Sequence, residues 1–490
     1  MTYDLLIIGG GINGCAIARE AALNGLKVLL VEKDDLASHT SSASTKLIHG
    51  GLRYLEYYEF KLVREALAER ERLLKAAPHL IHPLEFVLPH ENAVRPWWMV
   101  RAGLWLYDLL AGKSSLPRSR SLTKKDSFIT RDLRTGNKGF VYWDAWVDDA
   151  RLTLHNAIDA AEHGAEIVTR TAVESAERSA TGWAAKLSDN RTVEARAVVN
   201  ATGPWVVETL QMLNVASDSR VRLVKGSHIV VPRLIAGKQA YILQQPDGRI
   251  VFAINYQGDH TMIGTTDVPV ERPEDAEIEA GEIEYLCDAV SRHFRFTLTP
   301  DKVVDNWSGV RPLYDDGAAD AKAVTREYVL ELDTDAAPIL SVFGGKITTG
   351  RALAEDALAK LGPVLDIKVH HPTRGRVLPG GAIADFDHFV EQVRVRWPFL
   401  GDSRSLRMAE AYGTRLAEML DGVDSEAAMG KELGAGLTEI EARWMRTREW
   451  AKTPRDILLR RSKLGMHMTD EQVSAFVKWW TEFVHASAAA

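Results

Sequence analysis

At 490 residues the chain is long enough for about three domain-sized units, and its composition is that of an ordinary globular protein able to bury a substantial core. A formal net charge of -7 argues against a general nucleic-acid binder. Two cysteines, Cys15 and Cys287, make neither a disulfide framework nor a metal-ligand cluster, so no metal is expected and a reducing compartment is the natural setting.

The N-terminus, MTYDLLIIGG, has no basic stretch before its apolar run and reads as a strand rather than a signal peptide. Residues 4 to 9 suit a buried parallel strand. Gly9, Gly11 and Gly14 follow in GxGxxG spacing, then a helical stretch to about Asn24 that Gly25 stops. The next strand, KVLLVE, ends on Glu32, about twenty residues beyond the glycines, where a carboxylate can take a ribose hydroxyl. The glycines let backbone approach a pyrophosphate at the positive end of a helix. A lone GxGxxG is weak; with a strand on each side, a helix between and the terminal acid, dinucleotide binding is the expectation.

Next comes TSSASTKLIHGGLRYLE, residues 40 to 56, with Gly50 and Gly51 allowing close approach to a planar group. If this segment is helical, His49 and Arg53 share a face. RPWWMVRAGLWLYDLLAGK, residues 95 to 113, is mostly apolar, with Arg101 and Asp108 seven apart. Trp97, Trp98 and Trp105 prefer the headgroup level, and Arg95, Arg101, Lys113, Arg118 and Arg120 would favour anionic lipid. The competing reading is a helix buried in the core. No apolar run approaches the roughly 18 residues that span a bilayer, so any membrane contact is from one side.

From 220 to 320 the texture changes. KGSHIVV, AYILQQ, RIVFAINY and HTMIGTT read as strands of an antiparallel sheet, with Asp247-Gly248 as a hairpin turn. LSVFGGKITTGRALAEDAL, 340 to 358, reads as strand, double glycine and helix. From about 375 the chain is helix-rich: Thr453, Pro454 and Asp456 read as N-cap, first-turn proline and capping acid, and Gly465 follows the last turn of DILLRRSKL. No second GxGxxG unit is present, so a nicotinamide domain is not expected.

AVVNATGPW at 197 to 205 and the 340 to 358 segment resemble the second and third cofactor segments of glutathione-reductase-like FAD folds. In that arrangement the 40 to 56 segment lies against the reacting end of the flavin. The pieces SSASTKLIHGGLRYLE, WVDDARL, NATGPW, KGSHIVVP, IGTTD, SGVRPL and SVFGGKITT together resemble the FAD-dependent, membrane-associated aerobic glycerol-3-phosphate dehydrogenases, most strongly over residues 1 to 360.

The resemblance implies an α/β architecture: a glutathione-reductase-like FAD-binding Rossmann fold, an antiparallel-sheet substrate domain and a helical C-terminal domain. The expected divisions are a discontinuous FAD-binding domain from 1–75, 140–215 and 320–370, and a substrate or cap domain from 76–139 and 216–319 with 95–113 facing a membrane. The C-terminal domain is expected over 375–490. The implied reaction is oxidation of sn-glycerol 3-phosphate to dihydroxyacetone phosphate by hydride transfer to FAD, with electrons passed to ubiquinone or a similar quinone.

The implied catalytic residues are His49, His228 and Arg311, without a choice of which histidine is the base. The anionic substrate would meet Arg53, Tyr54, Arg311, Arg326 and Lys346. FAD would meet Gly9, Gly11, Gly14, Glu32, Ser41, Ser42, Ser44, Lys46, Leu47, Val173, Ala201, Thr202, Gly203, Trp205, Gly345, Lys346 and Thr348. The implied location is cytoplasmic, peripheral on the inner face of the cell membrane; a homodimer is left open. The competing classes are a glycerol-3-phosphate oxidase, a flavin amine or amino-acid oxidase, and an idle flavin-binding scaffold. The last is hard to reconcile with two histidines and a cationic cluster.

Overall fold

A computed structural model describes residues 2–90, 95–315 and 328–489. Arg326 lies outside the described residues.

The first sheet runs in the order Val329–Asp333, Ile339–Phe343, Thr192–Asn200, Thr2–Ile8, Val28–Glu32, Glu166–Thr169. The last five strands are mutually parallel, and Val329–Asp333 is an antiparallel edge. Parallel strands are covered on both faces, which is why Leu5, Leu6, Ile7, Val28, Leu29 and Leu30 are apolar without alternation. One face takes helices Ile12–Leu23, Asp149–Glu162 and Gly350–Leu365, with Ile17, Leu154 and Leu358 in one core. The other face takes the Val173–Arg178/Trp183–Leu187 meander and the short Val206–Met212 helix, where Trp183, Val206 and Phe343 meet.

The second sheet has ten strands and is mostly antiparallel. Val221–Pro232 pairs with His260–Gly264 on one side and Asp305–Tyr314 on the other. The Asp247-Gly248 hairpin joins Ala240–Gln244 to Ile250–Tyr256 as expected, with Gly248 at φ +80. The sheet extends further than the sequence reading: Ala240–Gln244 pairs in parallel with Ile81–Pro89, which pairs with Gly139–Val147.

With that extension the condition for a shared face in the 40 to 56 segment is not met. Leu47–Ile48 is a short strand opposite Trp146 and Ala145, and Gly51 at φ +73 turns the chain into a 3-10 turn over Leu52–Tyr57. His49 therefore precedes the turn that carries Arg53, and the two do not share a helical face.

Helix Trp97–Leu110 sits on the Phe60–Ala76 helix and the Leu52–Tyr57 turn. Leu104 and Tyr107 point into the core, while Trp98, Trp105 and Leu109 are exposed by 67%, 59% and 59%. Trp97 differs from its neighbours, because its ring lies 4.1 Å from that of Phe140. Arg101 and Asp108 both grip Ser119: Arg101 donates to its Oγ at 2.9 Å and Asp108 accepts from its amide and hydroxyl. No described helix is long and apolar enough to cross a membrane.

Beyond residue 375 helices Phe386–Arg396, Gly401–Tyr412, Glu439–Arg448 and Asp470–Ala489 enclose a separate core around Met408, Leu416, Met445, Ile457 and Phe476. Asp456 caps as expected, accepting from the Lys452 and Thr453 amides at 2.9 Å each. The helix it starts is a π-helical turn, Asp456–Arg461, and the left-handed residue that ends it is Lys463 at φ 58 rather than Gly465. Lys463 tolerates that conformation with its ammonium held 2.5 Å from Asp148.

Candidate active site

The first wall of the site is the glycine turn. Gly9 adopts φ +110, and a Cβ there would stand 2.6 Å from the Ala201 carbonyl oxygen. A Cβ on Gly14 would meet the Gly9 carbonyl oxygen at 1.9 Å. Gly14 is thus required for the packing of turn against helix, whereas Gly9 and Gly11 face the cavity. Gly11 offers no side-chain cap to helix Ile12–Leu23; Ser41 Oγ accepts from the Ile12 amide at 2.9 Å. Glu32 accepts from the Gly10 and Asp34 amides at 2.6 and 2.8 Å, which fixes its carboxylate at the end of its strand. Burial raises its pKa, and those two amides oppose the rise.

A cavity of about 340 Å³ opens over this turn, a size suited to a small-molecule ligand. Among the expected cofactor residues Gly9, Gly11, Glu32, Ser41, Val173, Ala201, Thr202, Gly203, Trp205 and Gly345 line it. Sequence reasoning missed Asn13, Lys33, His39 and Thr171, which line it too. Asn13 occupies a variable position inside GxGxxG, yet its amide donates to the Gly344 carbonyl at 3.1 Å and ties the first glycine turn to the last. Lys33 lies over the Trp205 ring at 3.9 Å, and His39 meets that ring edge-on at 4.7 Å.

The remaining residues of the serine segment turn elsewhere. Ser44 Oγ donates to Asp149 at 2.7 Å, and Lys46, itself 2% exposed, places Nζ 2.8 Å from the same carboxylate. Ser42 Oγ donates to the His39 carbonyl, and Leu47 belongs to the core beside Phe86 and Tyr107. Ser42, Ser44, Lys46 and Leu47 are not among the residues that line the cavity. Asp149, from WVDDARL, is the anchor that holds the segment.

The second sheet forms a further wall through Pro312 of its Asp305–Tyr314 strand. His228 is 2% exposed, its Nε2 lies 3.0 Å from Thr45 Oγ1, and its ring stacks on Trp307 at 5.4 Å. Burial, with Lys46 and Arg311 adding to it, pushes its pKa down to about 3, so the imidazole is neutral at pH 7. Its Nδ1 is buried without a partner among the described residues. Arg311 comes so close to Gly226 that a Cβ there would stand 2.8 Å from Nη2. Thr40 Oγ1 donates to the Val310 carbonyl at 2.7 Å, joining this wall to the serine segment.

The third contributor is the turn before helix Gly350–Leu365. Thr348 Oγ1 accepts from the His49 amide at 3.4 Å, and Lys346 Nζ lies 4.0 Å from the centre of the Tyr54 ring. Those contacts bring Lys346 to Tyr54 and Thr348 to His49, while Arg311 and His228 sit on paired strands of the second sheet; none of the six is among the residues that line the cavity.

Backbone approach at two glycines, a helix N-terminus that begins at the cavity, a carboxylate at the strand end and a cavity between them fit a dinucleotide, and Gly344 and Gly345 of the double-glycine turn complete the lining beside Asn13. The chain belongs to the FAD dependent oxidoreductase family, whose profile matches residues 4–351, and FAD is its cofactor.

Several relatives are similar over nearly the whole chain. A D-erythritol 1-phosphate dehydrogenase of Brucella abortus is 49% identical over 490 residues, covering 98% of each chain. A glycerol-3-phosphate dehydrogenase of Pseudomonas aeruginosa is 49% identical over 480 residues, 96% of this chain and 93% of that one. The aerobic glycerol-3-phosphate dehydrogenase of Escherichia coli is 46% identical over 493 residues, 98% of each. Among solved structures, the glycerol-3-phosphate dehydrogenase from Bacillus halodurans complexed with FAD aligns with a TM-score of 0.77 at 28% identity, covering 98% of this chain and 90% of that one.

Proposed function

We propose that this chain oxidises sn-glycerol 3-phosphate to dihydroxyacetone phosphate and passes the electrons to a membrane quinone, ubiquinone or one like it. The observation that carries the reading is 46% to 49% identity, over almost every residue, with proteins that bear the dehydrogenase name. FAD, when bound, accepts the hydride from the carbinol carbon. The chain's own groups do the rest. Arg311, Lys346 and Arg53 hold the phosphate ester by charge, and with the Tyr54 hydroxyl they orient the carbinol. The hydroxyl proton goes to an imidazole. His228 is neutral but a weak base where it sits, so the reading gives the proton to His49 and makes His228 an orienting partner.

A second reading has its own support, because the Brucella relative bears the name of a D-erythritol 1-phosphate dehydrogenase at 49% identity. Both substrates are polyol monophosphates and differ by one hydroxymethylene. Anaerobic mixing of the yellow holoenzyme with each compound, with glycerol and with an amine tests both readings. Faster bleaching by glycerol 3-phosphate is expected; faster bleaching by erythritol 1-phosphate transfers the assignment, and bleaching by the amine alone defeats both. Hydrogen peroxide formed at the rate of turnover in air would place the chain with the oxidases.

The membrane part of the proposal is a one-sided contact on the inner face of the cell membrane. It is supported by the outward side of helix Trp97–Leu110, where Trp98, Trp105 and Leu109 are exposed.

A further inference from the structure

The Gly50 amide, next to His49 in the chain, donates to the hydroxyl of Tyr107 at 2.8 Å. That hydroxyl lies 2.9 Å from both oxygens of Asp144, and Asp144 also accepts from Arg70 at 2.7 Å. Tyr107, Asp144 and Arg70 are each no more than 2% exposed. None of the three lines the FAD cavity.

A phenol has one hydrogen to give and lone pairs to receive with. Here the hydrogen goes to the carboxylate and the oxygen takes the amide, so the Tyr107 hydroxyl is used in both directions. Arg70 is itself held, donating to the Trp143 carbonyl and Ser114 Oγ at 3.0 and 3.1 Å. The chain of bonds thus runs from two helices and a sheet strand to one peptide of a loop.

That loop needs holding. Two adjacent glycines give it wide conformational freedom, and Gly51 stands at φ +73 immediately before the turn that bears Arg53 and Tyr54. The approach at Gly50 is close: a Cβ there would come 2.6 Å from the Tyr107 oxygen. Glycine at this position admits the phenol, and the phenol then restores the order that glycine gives up.

We propose that Tyr107 is a positioning residue for the oxidation, fixing the His49-Gly50-Gly51-Arg53 loop through the Gly50 amide and tying it to the inner side of the helix whose outer side carries the tryptophans. The proposal rests on reading His49 and Arg53 as substrate-facing groups. Its structural half, the ordering of the loop, does not depend on which substrate is used.

The test uses FAD-loaded full-length Tyr107→Phe, which keeps the ring and removes the hydroxyl. Amide hydrogen exchange in peptides spanning residues 46 to 58 should rise about tenfold at 49 to 53 while FAD content stays at the wild-type level. With a dye acceptor and whichever phosphate ester bleaches the wild-type flavin, kcat should fall roughly tenfold or more and KM change within about twofold, the pattern of a misplaced reacting group. Asp144→Asn, with the hydroxyl retained and its partner weakened, should shift both readouts the same way by less, and it decides the matter if Tyr107→Phe does not fold. Wild-type exchange at 49 to 53 with wild-type kcat overturns the proposal, as does a lower melting temperature with both unchanged. If no phosphate ester reduces the wild-type flavin, the substrate reading has failed, and the exchange measurement alone upholds or overturns the loop's dependence on Tyr107.

Discussion

Arg311 Nη2 lies 2.5 Å from Asp267 Oδ1, so the guanidinium expected to hold an anionic substrate already faces an anion. Both side chains are about one-third exposed, where such a pair is worth no more than about 1 kcal/mol. A phosphate ester that reaches Arg311 must displace Asp267, at a cost of no more than that. Arg311→Ala should raise KM for the phosphate ester by roughly tenfold or more with FAD still bound. Asp267→Asn should lower KM by up to about fivefold, since the competitor is gone. Unaltered steady-state kinetics in both variants would remove Arg311 from the site.

The two histidines are expected to separate in kinetics. Burial depresses His228 to about 3. His49→Gln should therefore cost kcat on the order of a hundredfold or more, while His228→Gln should cost less and raise KM along with it. A larger kcat loss in His228→Gln would reverse the assignment.

The glycine turn gives a prediction independent of substrate. Because a Cβ on Gly14 would stand 1.9 Å from the Gly9 carbonyl, Gly14→Ala must displace the turn that faces the pyrophosphate. The variant should purify largely without flavin absorbance near 450 nm, roughly the region where oxidised flavin absorbs. Full yellow colour in Gly14→Ala would show that the turn has slack.

Acid should destabilise the fold. Burial pushes His79 to about 3, His82 to about 4 and His228 to about 3, against roughly 6.5 in an unfolded chain. Between those values the unfolded state binds more protons, so the stability from keeping these rings neutral is complete above about pH 6.5 and is lost as pH falls toward the folded values. At pH 5 each of His79 and His228 accounts for up to about 2 kcal/mol of that loss. Urea unfolding at pH 7 and pH 5 measures it, and His79→Gln should reduce the difference by about one group's share. An identical midpoint at the two pH values contradicts the account.

The membrane contact is testable at two positions rather than three, because Trp97 is packed on Phe140. Replacing Trp98 and Trp105 with serine leaves that packing alone and should abolish co-sedimentation with anionic vesicles. Dye-linked turnover should persist and quinone reduction in membranes should drop. Vesicle binding at the wild-type level would move the contact elsewhere on the surface.

What could be read from the residues alone was what forms within a short span of chain. The strand, glycine turn, helix and strand of residues 4 to 32 require only neighbouring residues: apolar runs, glycines at the turn and a carboxylate at the strand end. The Asp247-Gly248 hairpin and the Asp456 cap are equally local, and both formed as expected. What the tertiary structure decided was where long side chains spend their charge. Ser44 and Lys46 stand in the segment expected beside the cofactor, and nothing in the sequence signals that Asp149, more than a hundred residues away, bonds both side chains. Leu47 and Ile48 become a strand because Trp146 and Ala145 are there to pair with, and that pairing sets His49 apart from Arg53. Tyr107 reads as one more apolar residue in an amphipathic helix, and its contact with Gly50 exists only once that helix has docked on the turn. Backbone conformation is settled by neighbours in sequence, whereas a buried polar group must find its partner wherever the assembled sheets bring one within reach.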